Sequence, residues 1–186
     1  MKEIRHKWLL LILVTLTGFF IDYFSKTLVV SHLSYGIPKK VFGHLLQFVF
    51  VYNKGLLFGI NPRGIFPGIP LNLLLLVITI VTIGFLVFFY KRIPKHNILL
   101  HWGVALICPG ALGNLFDRII RPADGVVDFI QIGLSEKIHW YIFNVADIYV
   151  TVGMAVFLYC LLRDETLKKA SVYSSQDFKK QSSAGF

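Results

Sequence analysis

Two aspartates stand in strongly apolar surroundings, Asp128 within Val-Val-Asp-Phe and Asp147 at the end of Phe-Asn-Val-Ala-Asp. A carboxylate near the centre of a bilayer costs roughly 2.5–3.5 kcal/mol, and less toward the edge. Because two carboxylates at close range cannot both ionise easily, such a pair shares a proton. The ionised member can take a proton from water, while the protonated member hydrogen-bonds a carbonyl. The pair is therefore typical of chemistry that cuts an amide bond.

Asn144 precedes Asp147 by three residues, so the two side chains share one helix face and can both point into a helix bundle. We expect Asp128 to lie in the loop that follows the preceding helix and to approach the same site from there. The alternative for each aspartate is a helix cap or a salt bridge. Asp124 is a nearby competitor, but Pro-Ala-Asp-Gly is a turn sequence, and turn aspartates bond their own backbone.

Asp22 and Lys26 lie four residues apart, acid before base, which favours an ion pair on one helix face. One interpretation is a paired charge at a helix end, with Lys26 extending outward to water. The other is a pair that braces a site or binds substrate backbone.

Two further polar clusters interrupt the apolar pattern. Asn53 and Gly55 form an Asn-x-Gly turn, in which glycine allows close backbone approach. Asn114, Asp117 and Arg118 share one helix face after a stretch rich in glycine, and small residues let helices approach closely in lipid. Asp117 is compatible with a polar network between helices. We expect Arg118 to hold a carboxylate by a bidentate contact.

Other catalytic groups are weakly represented. The histidines are scattered without zinc spacing, and the only adjacent Ser–Lys pair points in different directions on a helix. Cys108 and Cys160 lie inside apolar segments, which excludes a disulfide framework. We expect neither a metal nor another cofactor.

The composition indicates an integral membrane protein. The 186-residue chain is 55% hydrophobic with a mean hydropathy of +0.67, values that soluble domains of this size rarely reach. Four apolar segments, at about 8–30, 69–90, 98–120 and 140–162, each hold roughly 20 residues, enough to cross a ~30 Å hydrocarbon core as a helix. They lack the alternation of barrel strands. We predict an all-α membrane protein with four transmembrane helices.

The basic residues predict orientation. Eleven of the nineteen Lys and Arg fall in the N-terminal tail, the 91–96 loop and the C-terminal tail. This bias makes both termini cytoplasmic and turns residues 31–67 and 121–138 outward. The basic residues lie at helix ends and form no docking face, which argues against nucleic acid. The first segment resembles a signal peptide but lacks a small-x-small cleavage site, so we expect it to be retained.

The length suits one domain, residues 1–166, followed by a polar tail at 167–186. Residues 41–52 are rich in Val, Phe and Leu and predict a strand, so a small extracytoplasmic β element should lie between the first two helices. Nothing in the sequence demands more than a monomer.

In order and approximate spacing, these clusters resemble the lipoprotein signal peptidase family, also called signal peptidase II. The matching motifs are Asp22 with Lys26, Asn-x-Gly-x-x-Phe at 53–58, Gly-x-Leu-Gly-Asn-x-x-Asp-Arg at 110–118, Val-Val-Asp-Phe at 126–129 and Phe-Asn-x-Ala-Asp at 143–147. One such motif would be weak evidence for the family, whereas five motifs in the same order over residues 8–162 are highly specific for it.

The resemblance implies an aspartic peptidase of the bacterial cytoplasmic membrane, with its active site at the outer face. Its substrates would be lipid-modified prolipoproteins, cut just before the diacylglyceryl-cysteine. Cyclic peptides such as globomycin would inhibit it. The family's catalytic pair falls on Asp128 and Asp147. Its supporting residues fall on the remaining polar positions, namely Asp22, Lys26, Asn53, Gly55, Asn114, Arg118 and Asn144.

Two other classes of function stay open. A small ion-coupled transporter could use the aspartates to relay protons, although a carrier should place ionisable groups near the midplane and the sequence shows no internal repeat. A non-catalytic membrane assembly factor could use the polar clusters only to join helices.

Overall fold

A computed structural model describes residues 4–55, 69–133, 135 and 138–163. Within these residues, four helices are long and apolar enough to cross a membrane: α1 (Lys7–His32), α2 (Leu71–Arg92), α3 (Ile98–Ile120) and α4 (Val145–Arg163). The predicted four-helix architecture is therefore confirmed. The predicted C-terminal tail lies outside the described residues.

Neighbouring helices alternate in direction, which brings four helix ends together. The side chain of Asn72, at the start of α2, donates to the carbonyl oxygen of Arg118 near the end of α3, at 3.2 Å. The backbone N–H of Ala146, at the start of α4, donates to Asp22 of α1 at 2.8 Å. The C-terminal halves of α1 and α3 thus meet the N-termini of α2 and α4.

The opposite end of the bundle carries the basic residues of the helix termini. The ammonium of Lys7 donates to the carbonyl oxygens of Lys91 and Ile93 at 3.0 Å each. The carbonyl of Lys91 lies in the last turn of α2 and that of Ile93 directly follows the helix, so neither is satisfied by the helix itself. The hydroxyl of Tyr90 donates back to the carbonyl of Lys7 at 2.6 Å. This end therefore collects cations from both α1 and α2.

Helix α3 is the centre of the bundle. Within its most apolar 18-residue stretch, 56% is buried, whereas the corresponding share in the other three helices is 17–22%. Glycines permit its close approach to α4. Gly103 packs against the backbone of Gly153, and a side chain on Gly110 would overlap the carbonyl oxygen of Ala146. The prediction that small residues bring helices together is confirmed at Gly110.

A three-stranded antiparallel sheet lies next to the converging helix ends, with strands β1 (Lys39–Phe42), β2 (Leu46–Asn53) and β3 (Val126–Ile132) in sequential order. The sheet packs on α1 through a cluster of apolar side chains contributed by Val29, Phe50, Val127 and Phe129. The β element predicted between the first two helices is present. It is a hairpin rather than one strand, because Gly43 adopts a positive φ of 55° in the turn between β1 and β2.

Two boundaries were wrong. The 121–138 connection contains β3, so Asp128 lies on a strand and not in a loop. Helix α4 begins at Val145 and not at residue 140, because the preceding residues run along β3, with the N–H of Phe143 donating to Ile130 at 3.0 Å. Both errors have one cause: short apolar runs at strands and at helix starts have the same hydropathy.

Candidate active site

Asp128 lies in the middle of β3, opposite Val51 of β2, and its side chain is almost fully buried. Its Oδ2 accepts a hydrogen bond from the side-chain amide of Asn53 at 2.8 Å. Its Oδ1 accepts one from the side-chain amide of Asn144 at 2.6 Å. The strand therefore presents this carboxyl group to one donor from the end of β2 and one from the start of α4.

Asp147 lies in the first turn of α4, where it forms a capping box with Asn144. The N–H of Asp147 donates to Oδ1 of Asn144 at 3.0 Å, and the N–H of Asn144 donates to Oδ2 of Asp147 at 3.1 Å. Asp147 is thus closer to the helix end than the sequence indicated. Oδ1 of Asp147 stays available to the interior, where it accepts from the amide of Asn114 at 2.9 Å.

Backbone donors determine which way two of the asparagines point. Oδ1 of Asn53 accepts from the N–H of Gly55 at 2.8 Å, which confirms the predicted turn. Oδ1 of Asn144 accepts from the N–H of Asp147. Because a backbone N–H can only donate, the oxygens are fixed and both NH₂ groups must face Asp128.

Asn114 is oriented in the same way by a cation. The ammonium of Lys26, which has no acceptor capacity, donates to Oδ1 of Asn114 at 3.0 Å. The NH₂ group of Asn114 must therefore point to Asp147. The structure thus brings Asp128 and Asp147 into one hydrogen-bonded cluster, in which Asn144 also donates to Asn114 at 3.2 Å.

Lys26 is buried, and its three protons all have acceptors. It contacts Oδ2 of Asp22 at 2.7 Å, Oδ2 of Asp117 at 3.1 Å and Asn114. The predicted Asp22–Lys26 ion pair is confirmed, but the alternative in which Lys26 extends outward to water is wrong, because the side chain is only 2% exposed. Three nearby acceptors inside the bundle replace the hydration that water would supply.

Asp117 links three elements. It receives Lys26 from α1, forms a short ion pair with Arg121 one turn on, and accepts the backbone N–H of Val127 in β3 at 3.1 Å. It therefore holds β3 against the end of α3, one residue before Asp128. The interpretation of Asp117 as part of a polar network between helices is confirmed. Arg121 was not predicted, although its spacing of four residues from Asp117 is the signal for such a pair.

Arg118 does not form the expected bidentate contact with a carboxylate. Its guanidinium donates to the carbonyl oxygens of Gly55 at 2.6 Å and of Asn114 at 3.3 Å. It therefore tethers the turn after β2 to α3. The guanidinium N–H groups of Arg118 bind backbone carbonyl oxygens here because the nearby carboxylates already have amide and ammonium partners.

Burial, and to a smaller extent the negative charge of Asp147, raise the pKa of Asp128 from 3.8 to about 7. Hydrogen bonds from Asn53 and Asn144 and the charge of Lys26 act in the opposite direction. Asp128 therefore still carries its proton at mildly acidic pH, where an exposed aspartate would be ionised.

Three clefts meet at the two aspartates. An interhelical cavity of about 260 Å³ lies between α2, α3 and α4 and is bordered by both. An α4 groove of about 330 Å³ runs along the first turns of α4, past Asp147. A polar cleft of about 520 Å³ lies between β2, β3 and residues 139–142, with Asp128 in its wall. Asn53 borders all three.

In the part of the chain that the structure describes, no group of three His, Cys, Asp or Glu side chains has metal-binding geometry.

Known proteins resemble this chain in sequence and in fold. The model of the signal peptidase II family matches residues 14–163. A lipoprotein signal peptidase of Borrelia duttonii (strain Ly) is 36% identical over 152 residues, which are 80% of this chain and 86% of the relative. One of Clostridium novyi (strain NT) is 35% identical over 153 residues, or 82% of this chain and 97% of the relative.

A solved bacterial membrane enzyme, determined by the in meso method at 2.3 Å, superposes with a TM-score of 0.73 and 27% identity. The match covers 85% of this chain and 90% of that one. Taken with the extent of the sequence matches, this likeness identifies the chain as a member of the signal peptidase II family and as an aspartic peptidase.

Proposed function

We propose that this protein removes the signal peptide from diacylglyceryl-modified prolipoproteins, cutting just before the lipidated cysteine, with Asp128 and Asp147 activating the attacking water. The relatives named as lipoprotein signal peptidases support the substrate class. The single observation that carries the mechanism is that two buried carboxyl groups share Asn144 as a hydrogen-bond partner at the junction of three clefts.

In the proposed reaction, Asp128 holds the shared proton and Asp147 is the base, because the pKa of Asp128 is raised to about 7. Asp147 takes a proton from water as the water oxygen attacks the scissile carbonyl carbon. Asp128 gives its proton to the carbonyl oxygen. As the C–N bond breaks, Asp147 passes its proton to the departing amine of the cysteine, and Asp128 regains its own as the carboxyl product forms.

The charges around the pair favour the singly protonated state. Four carboxylates, those of Asp22, Asp117, Asp128 and Asp147, face three cations, namely Lys26, Arg118 and Arg121. With one proton on the carboxylates the cluster is neutral. Since a buried net charge is costly, one shared proton is the state that this interior stabilises.

The placement of the pair supports cleavage at the membrane surface. The carboxylates lie where the sheet meets four helix ends, and the basic end of the bundle, with Lys7, Lys91 and Arg163, is the opposite one. Because cations prefer the cytoplasmic side, the termini are cytoplasmic and the pair faces outward in the bacterial inner membrane. An acyl-modified cysteine keeps its peptide bond at the same depth.

The test is cleavage of a lipidated precursor by purified protein, with the Asp128→Asn and Asp147→Asn variants. Each should lower the cleavage rate by at least about a thousandfold while the protein still inserts and folds. Asp124→Asn is the matched control, because it makes the same change in an exposed turn of the same connection. A globomycin-like cyclic peptide should inhibit the active protein.

Cleavage of the precursor at the normal rate by both aspartate variants would contradict the proposal. No cleavage by the unaltered protein would instead favour one of the other classes, the transporter or the assembly factor. The gathering of ionisable groups at one end of the bundle argues against a carrier with a midplane site.

A further inference from the structure

The polar cleft differs from the two other clefts in its lining. The interhelical cavity has a mostly apolar lining surface, to which Leu75, Ile78 and Val150 contribute, and its charged and amide groups belong to the cluster around the two aspartates. The α4 groove is bordered by residues such as Ile148 and Val152. Half of the residues that line the polar cleft are charged, amide or imidazole side chains, namely Asn53, Lys54, Asp128, Gln131 and His139.

We propose that the polar cleft binds the mature polypeptide that follows the lipidated cysteine, as an extended chain, and that Lys54 gives it a preference for acidic residues. The proposal rests on the function proposed above. A lipidated precursor has three branches at the cleavage point: an apolar signal helix, two acyl chains and a polar polypeptide. Three clefts meet at Asp128 and Asp147, and the lining surface of two of them is mostly apolar. The polar branch therefore belongs in the polar cleft.

The dimensions fit a short extended segment. Asn53 contacts Asp128 at 2.8 Å, and Lys54 is the next residue along the chain. Gln131 lies three residues beyond Asp128 on β3, which is about 10 Å at 3.3 Å per residue. The cleft therefore spans about three substrate residues after the scissile bond. Because Asn53 pairs with Val126 of β3, Lys54 lies at the Asp128 end of the cleft, nearest to the residues that directly follow the cysteine.

The far end of the cleft is held in a fixed arrangement. Gln47 is buried and pairs with Gln131 across the sheet. The amide nitrogen of Gln47 lies 3.4 Å from Nε2 of His139, which belongs to the segment that forms the opposite wall. Primary amides donate and accept hydrogen bonds, so Gln131 can bind the backbone of an extended chain whatever its side chains are. Charge selection then comes from the exposed ammonium of Lys54.

Two lipidated precursors that differ only at the first and second residues after the cysteine, Asp-Asp or Lys-Lys, test this preference. The unaltered protein should cleave the acidic precursor with a kcat/KM about three- to fivefold higher, the range expected for a partly exposed ion pair. Lys54→Glu should reverse the preference. Lys39→Glu is the matched control, because Lys39 is an exposed lysine on the edge strand, away from the cleft, and should leave the ratio unchanged.

A photo-crosslinking residue at the second position after the cysteine gives an independent readout. In the cleavage-dead Asp147→Asn protein it should label Gln131 or His139, which border the polar cleft and neither of the other two clefts. A probe on the signal-peptide side should instead label residues that the polar cleft lacks, such as Ile78 of the interhelical cavity or Val152 of the α4 groove. Equal cleavage of both precursors with unchanged preference in Lys54→Glu, or labelling of the helices by the probe after the cysteine, would overturn the inference and leave the proposed function intact. Failure to cleave either precursor would count against the function itself.

Discussion

The side-chain nitrogen of Asn144 lies 2.6 Å from Oδ1 of Asp128, while the side-chain oxygen of the same asparagine caps α4. One residue thus joins the strand that carries the first carboxyl group to the helix that carries the second. Its two functions use different atoms, so substitution can separate them.

Asn144→Ser keeps an oxygen for the helix cap and loses the donor to Asp128. Because serine is as good an N-cap as asparagine, we expect the free energy of unfolding to change by only a few tenths of a kcal/mol. Asp128 becomes negatively charged when it gives its proton to the carbonyl oxygen. Loss of the hydrogen bond that stabilises this charge, worth about 1.5–3 kcal/mol, should lower kcat by roughly ten- to a hundredfold. Cleavage kinetics and thermal unfolding of the same sample measure both. Equal losses of stability and activity would show that the asparagine acts only as a cap.

The activity should fall as the pH rises through about 7. Burial and the charge of Asp147 raise the pKa of Asp128 to that value, so the carboxyl group holds its proton below it and ionises above it. Ionisation leaves two adjacent anions and no acid to protonate the carbonyl oxygen. The measurement is kcat against pH with a lipidated precursor, and the apparent pKa belongs to the coupled pair. A rate that stays level up to pH 9 would contradict the assignment of Asp128 as the acid.

The same pKa shift predicts a stability change of defined sign. Between about pH 4 and pH 7 the folded state keeps a proton on Asp128 that the unfolded state, with its ordinary pKa of 3.8, has released. The free energy of unfolding should therefore decrease as the pH rises through this window. Thermal unfolding in detergent checks it, and Asp128→Asn, which cannot titrate, should reduce the slope.

Lys26→Met should strongly destabilise the protein. It leaves the buried carboxylates of Asp22 and Asp117 without their shared cation, and breaking a buried ion pair on one side costs about 3–5 kcal/mol. Lys39→Met, at an exposed position of β1, is the control and should change stability by less than about 0.5 kcal/mol. Adding Asp22→Asn to Lys26→Met should restore part of the loss, since it removes one uncompensated charge. Similar melting temperatures for the two lysine variants would argue against the network.

Glycine substitutions should separate crowded from open helix positions. A methyl group at Gly110 would overlap the carbonyl oxygen of Ala146, and one at Gly113 would overlap the carboxylate of Asp22. Gly84 on α2 has nothing within 4 Å of an added methyl group. We expect Gly110→Ala and Gly113→Ala to cost about 1–3 kcal/mol, whereas Gly84→Ala is neutral or stabilising by up to about 1 kcal/mol. Thermal unfolding of all three variants is the measurement, and equal effects would refute the close packing of α3.

The four spans could be predicted because a helix that crosses lipid needs a long apolar run, which composition alone reveals. The start of α4 could not, because Trp140 to Phe143 are as apolar as the helix that follows them. Hydropathy does not distinguish a segment that pairs with β3 from a first helical turn. The same limitation concealed β3 itself.

Within the site, spacing revealed pairs but not larger networks. The ion pair between Asp22 and Lys26 follows from their four-residue separation, yet the burial of Lys26 depends on Asn114 and Asp117, about ninety residues later in the chain. Arg118 was assigned a carboxylate partner because arginine prefers one. Its actual acceptor, the carbonyl oxygen of Gly55, is set by tertiary packing that the sequence does not display.

The capping box on α4 also has a stereochemical consequence for the proposed reaction. Oδ2 of Asp147 is tied to the N–H of Asn144, so the carboxyl group cannot rotate to exchange its two oxygens. The water activated by Asp147 therefore attacks every scissile carbonyl from the same side. A substrate with a D-amino acid at the cleavage site would present the wrong face of the carbonyl group to this water.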